Sequence, residues 1–118
     1  MSEAQNKVSI WFGKFKTESE FDDFIKKNYD EDGNSIPSSF MKVFEIDRYD
    51  EDFQEAFYDN AMDESSFEEL SYAETFSDKI KIDFSACNCV ILLYDFNYKG
   101  PIKKTANLFF YGALDYSK

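Results

Sequence analysis

The chain has 118 residues, 24 Asp and Glu against 13 Lys and Arg, a net charge of −11, and no histidine. Lack of histidine excludes Ser-His-Asp and Cys-His catalytic arrangements and histidine metal sites. The negative balance is the opposite of what a binder of nucleic-acid backbones needs. Fourteen Phe, eight Tyr and one Trp accompany that charge. Disordered acidic chains are poor in aromatics, so the acids belong to the surface of a folded protein.

The length suits a single domain, 1–118, with one core. There is no apolar stretch of about 18 residues, the length of a membrane span. Met1 to Lys7 carries no secretory signal, so a cytoplasmic protein is expected. Cys87 and Cys89 flank Asn88 in what reads as a strand, where i and i+2 share a face but stand too far apart for a relaxed disulfide. They are expected to be reduced, partly buried thiols.

In chain order, Lys7–Gly13 alternates as a first strand, with Val8, Ile10 and Phe12 on one face and Trp11 on the other. Trp11 is read as core packing, with an exposed recognition residue as the alternative. Thr17-Glu-Ser-Glu20 fits a capping box. Behind it Phe21, Phe24, Ile25 and Tyr29 suggest a helix to about Lys27 or Asn28, with Lys26 and Lys27 in its last turn. Asp30 to Ser35 is a turn-rich loop. Pro37 opens a short helix carrying Phe40, Met41 and Phe44.

Residues 48–60 suit either a helix or a strand; a strand with Phe53, Glu55 and Phe57 on an acidic outer edge is the reading preferred. Ser65 or Ser66 caps a predicted helix in which Phe67, Leu70, Ala73, Phe76 and Ile80 recur every three or four residues. Cys89–Tyr94 is apolar on both faces, as a central strand requires, and extends to Tyr98. After a turn at Tyr98–Pro101, Thr105 to Tyr111 is predicted to return as its antiparallel partner. The predicted fold class is α+β, an antiparallel sheet with a C-terminal hairpin, backed by two or three helices. The tyrosines between 94 and 116 are read as sheet packing, since a base-stacking platform would need basic residues beside it.

Catalytic chemistry finds little support. Glycines at 13, 33, 100 and 112 build no phosphate-binding loop. Carboxylates are too abundant to single out an acid–base pair, and no enzyme activity or cofactor is expected. Taking Asn28 as the start of a calcium loop puts Asp30, Asp32 and Gly33 where they are required, but Ser39 stands where a bidentate Glu should. Weak cation binding remains an alternative to a solvated acidic turn.

The positive signal is the distribution of charge. Between Glu45 and Asp78 thirteen acids meet one base, Arg48, which leaves the rest of the chain near neutral. Within that segment Arg48 to Asp59 interleaves carboxylates with Tyr49 and Tyr58. Tyrosines supply contact area at low entropic cost, while carboxylates steer and pair with basic partners. Tyr49, Asp50, Glu51, Asp52, Glu55, Tyr58 and Asp59 are therefore the expected contacts, with Asp30, Glu31 and Asp32 as a second patch.

Several segments resemble the immunity protein 22 family of bacterial polymorphic-toxin systems. They are Val8-Ser-Ile-Trp-Phe-Gly-Lys-Phe15, Glu20-Phe-Asp22, Tyr29-Asp-Glu-Asp-Gly33, Ser35-Ile-Pro-Ser38 and Asp50-Glu-Asp-Phe53. Ser71-Tyr-Ala-Glu-Thr-Phe76 and Val90-Ile-Leu-Leu-Tyr-Asp-Phe96 with Gly100 extend the likeness. The resemblance implies an antidote that binds and blocks a secreted or contact-delivered toxin, often a nuclease; the working expectation is a tight stoichiometric complex. It carries over no catalytic residues. Expected partners are thus the cognate toxin, with neither nucleic acid nor membrane, and a monomer or weak homodimer when free. The rival readings are an acidic nucleic-acid mimic acting on another basic protein, a cation-binding module, and a homo-oligomeric scaffold.

Overall fold

A computed structural model describes residues 3–26, 28–46, 53–60, 70, 72–105 and 107–116. Its elements are β1 (Glu3–Gly13), α1 (Glu18–Ile25), β2 (Asn28–Tyr29), β3 (Ser35–Ile36), α2 (Ser39–Phe44), β4 (Gln54–Tyr58), β5 (Cys89–Phe96) and β6 (Leu108–Asp115). The architecture is α+β. An antiparallel sheet in the order β4-β5-β1-β6 stands beside a separate ribbon of β2 and β3.

The two strands that are buried on both faces, β5 and the Val8–Phe12 part of β1, take the centre. On one side of the sheet Val8, Ile10, Phe12, Val90, Leu92 and Tyr94 meet Ala73, Phe76 and Ile80. On the other, Trp11, Ile91 and Leu93 meet Phe21 of α1 and Phe40, Met41 and Phe44 of α2. Trp11 is fully buried. Its ring lies 5.0 Å from Phe40 and 5.0 Å from Phe110, with Phe44 and Tyr98 completing the enclosure. Among the described residues no acceptor reaches its Nε1. The Phe40 ring meets the indole nearly edge-on at 88°, a geometry that suits the aromatic quadrupole.

Two sequence expectations change. β6, predicted to return beside β5, pairs with β1, while β5 has β4 as its other antiparallel neighbour. The physical reason is burial. β6 is mostly half-buried and suits an edge, whereas β1 needs cover on both sides and on both faces. Tyr98 supports the crossing, because its single hydroxyl proton lies between the carbonyls of Phe44 (2.7 Å) and Ile102 (2.9 Å). Gly13 lets the returning chain pass close to β1, since a Cβ there would collide with the Asn107 carbonyl.

The predicted helix from Ser65 or Ser66 is the second change. Its caps and Phe67 lie outside the described residues. From Ala73 onward the chain forms two 3-10 turns, Ala73–Thr75 and Ser77–Lys79. Tyr72 sits at φ 60°, in the left-handed region, and ends any α-helical run there. Ala73, Phe76 and Ile80 still reach the core, because a spacing of three or four residues serves a tight turn as well as an α-helix.

Smaller adjustments follow local chemistry. Thr17 Oγ1 accepts from the Glu20 N–H at 3.1 Å, as the capping pattern requires. α1 stops at Ile25, so Lys26 is its C-cap, and Tyr29 lies beyond the apolar stripe in β2. The second helix is capped by Ser38, whose Oγ accepts from Met41 N–H, and Pro37 stands just outside it. Cys87 and Cys89 do not share a face. Cys87 ends a 3-10 turn and joins the cluster around Phe76, whereas Cys89 opens β5 on the Trp11 side.

Candidate functional site

The predicted contact residues fall on different elements. β4 is an edge of the sheet and carries Glu55 and Tyr58, with Asp59 next in the chain. Tyr49, Asp50, Glu51 and Asp52 lie outside the described residues. Asp30, Glu31 and Asp32 form the tip of the β2–β3 ribbon. The strand reading of residues 54–58 holds, but its faces differ from expectation. Glu55 is half-buried, not part of a freely solvated edge, and its Oε1 accepts from the Tyr94 hydroxyl at 3.2 Å. Burial, with the Glu55 charge second, raises the Tyr94 pKa, so this phenol stays a neutral donor.

Tyr58 is tied into the fold. Its hydroxyl donates to Asn60 Oδ1 at 2.8 Å and accepts from Asn88 Nδ2 at 3.3 Å, and its ring lies 6.2 Å from Phe21. Asp59 is exposed, while its backbone N–H donates to the Asn88 carbonyl at 2.8 Å. The end of β4 therefore hangs on Asn88. That residue is 4% exposed and also grips Phe15, accepting from its N–H (3.0 Å) and donating to its carbonyl (2.7 Å). Sequence reasoning passed over Asn88, although a lone amide inside an otherwise apolar run was a visible signal.

At the ribbon tip, Asp30 organises its own loop. Its Oδ1 accepts from the N–H groups of Asp32 and Asn34, both at 2.9 Å. The Gly33 N–H bonds the Asp30 carbonyl at 3.0 Å, and Gly33 adopts φ 85°, which glycine reaches without strain. The Asn34 N–H foremost holds the Asp30 carboxyl below its ordinary pKa. This is an Asx-type turn closed on itself. Among the described residues no group of three or more Cys, Asp or Glu side chains is placed to hold a metal ion.

A third cluster lies at the other end of the sheet. Tyr116 donates to Asp95 Oδ1 at 2.6 Å, which also accepts from the Asn6 N–H at 3.0 Å. The rings of Tyr72, Tyr94 and Tyr116 contact one another with centroids 5.1 to 5.9 Å apart. These tyrosines do pack on the sheet, with Tyr94 and Tyr116 buried and Tyr72 covering them.

Residues 8–117 match the family model for Immunity protein 22. The chain belongs to the Immunity protein 22 family. No curated protein and no solved structure is significantly similar to it. Among the described residues of this Immunity protein 22 chain, no helix is long and apolar enough to cross a membrane.

The two thiols of this family member face inward. Burial pushes the Cys89 thiol up to about 12, and burial followed by the Asp83 charge raises Cys87. The thiolate is the reactive form, so both should resist an aromatic disulfide reagent at pH 8 while the protein is folded. Both should react once urea unfolds the chain. Prompt labelling of the folded protein would contradict the burial described.

Proposed function

We propose that this Immunity protein 22 chain is an antidote that binds and neutralises a cognate bacterial toxin in the cytoplasm, without chemistry of its own. The toxin is a nuclease, and the acidic segment of the antidote occupies or flanks its basic substrate cleft. Membership of an immunity family over nearly the whole chain carries this reading. The charge pattern supports the nuclease step, because thirteen acids between Glu45 and Asp78 complement a cleft built to hold phosphates. Tyr49, Asp50, Glu51, Asp52, Glu55, Tyr58 and Asp59 are assigned to contact, with Tyr58 held in place by its bonds to Asn60 and Asn88. Asp30, Glu31 and Asp32 form a second patch. The free chain is a monomer or weak dimer, and neither nucleic acid nor membrane is a direct partner.

Co-expression tests this reading in cells. A host making the toxin domain encoded beside this chain should die or arrest, and growth should return when the chain is made with it. Continued killing at equal expression would refute the antidote role. Rescue from a toxin that leaves nucleic acids intact would overturn the nuclease assignment alone.

A further inference from the structure

We infer that the β2–β3 ribbon is a separate anchoring element, in which the Tyr29 ring inserts into an apolar pocket rimmed by basic side chains of the toxin. This rests on the antidote reading above. The first observation is exposure. Residues 28–34 and 36 are all exposed, and Tyr29, at 61%, is the most exposed large apolar side chain described. Ile36 on the facing strand is also exposed. Neither side chain belongs to the two clusters that make up the core. The ribbon thus adds no side chain to the core of the fold.

Length is the second observation. α1 and α2 pack on each other, yet thirteen residues, Lys26 to Ser38, join them. Packed helices are ordinarily joined by about two to eight residues. Closing the fold does not require the excess. A two-pair ribbon is also marginal by itself, and here the Asp30 side chain steadies it by accepting from Asp32 and Asn34. The tip is therefore pre-organised, which lowers the entropic cost of docking.

Charge identifies the occupant. Glu31 and Asp32 are exposed at the tip beside Tyr29. An aromatic ring flanked by carboxylates complements an apolar pocket with Lys or Arg at its rim, and tyrosine is a frequent hot-spot residue in such pockets. A basic nuclease surface offers that chemistry; an acidic or purely apolar one does not.

The test measures binding of an inactivated toxin domain, encoded beside this chain, to wild type, Tyr29→Ala and Val43→Ala. Val43 is an exposed residue of α2 and serves as the control. Tyr29→Ala should weaken binding about 30-fold, mainly through faster dissociation, while Val43→Ala stays within about two-fold. Both variants should melt with the wild type, since neither side chain is buried. Wild-type affinity in Tyr29→Ala would overturn the ribbon proposal and leave the antidote reading standing. No binding by wild type would remove both. Self-association that Tyr29→Ala abolishes, with toxin affinity unchanged, would assign the ribbon to a second copy and overturn the proposal.

Discussion

Asn88→Ala is expected to destabilise the protein by about 2–4 kcal/mol, because it strips the buried Phe15 N–H of its acceptor and leaves the Phe15 carbonyl only the longer bond from the Tyr58 hydroxyl, at 3.4 Å. The Phe15 N–H and carbonyl bond the Asn88 side chain at 3.0 and 2.7 Å, in surroundings that water does not reach. The same amide reaches the Tyr58 hydroxyl at 3.3 Å, so the end of β4 also loses a tie. Against a typical total stability of about 5–15 kcal/mol, a loss of this size is severe. Asn88→Asp should be no milder. It keeps an acceptor for the Phe15 N–H but turns a carboxylate towards the Phe15 carbonyl in a buried site. Urea unfolding checks both variants, and midpoints equal to wild type would show that Asn88 is not the fastening that its contacts describe.

Charge reversal at Asp50, Glu51 and Asp52 to Lys should slow association with the toxin by about 10- to 100-fold at low salt. Those carboxylates sit in the segment that carries the whole of the net negative charge, and turning three acids into three bases shifts the chain's charge by six units, from −11 to about −5. Long-range attraction to a basic cleft acts before contact and is screened by salt over about 10 Å at 0.1 M. The reversed variant should therefore show a flatter dependence of the association rate on ionic strength, with a smaller change in dissociation if these are rim charges. Stopped-flow mixing across a salt series measures this. An unchanged rate with unchanged salt dependence would remove the acidic segment from the encounter surface.

Much of the fold was legible because its strongest signals are local. β1 alternates cleanly enough that Val8, Ile10 and Phe12 were separable from Trp11, and β5 is apolar on both faces. Thr17 capped its helix as its spacing to Glu20 demands. The pairing of β6 was not legible, since a hairpin is the commonest outcome for two strands joined by a turn. Here the hydrophobic demand of β1, far away in sequence, outweighed it. The 3-10 turns after Tyr72 share their apolar spacing with an α-helix, so period alone could not separate them. At the candidate site, composition singled out the acidic and aromatic segment, but not which side chains fasten the fold. Tyr58 reads like a contact residue in sequence, and only its bonds to Asn60 and Asn88 reveal its structural role. Tyr29 reads like the end of a helix stripe, and the early stop of α1 at Ile25 leaves it exposed.

The most direct test of the antidote account is a titration of the neighbouring toxin domain's nuclease activity with this purified protein. The account predicts linear loss of activity that ends at one equivalent, as a tight stoichiometric complex requires. Full activity with excess protein present would contradict it.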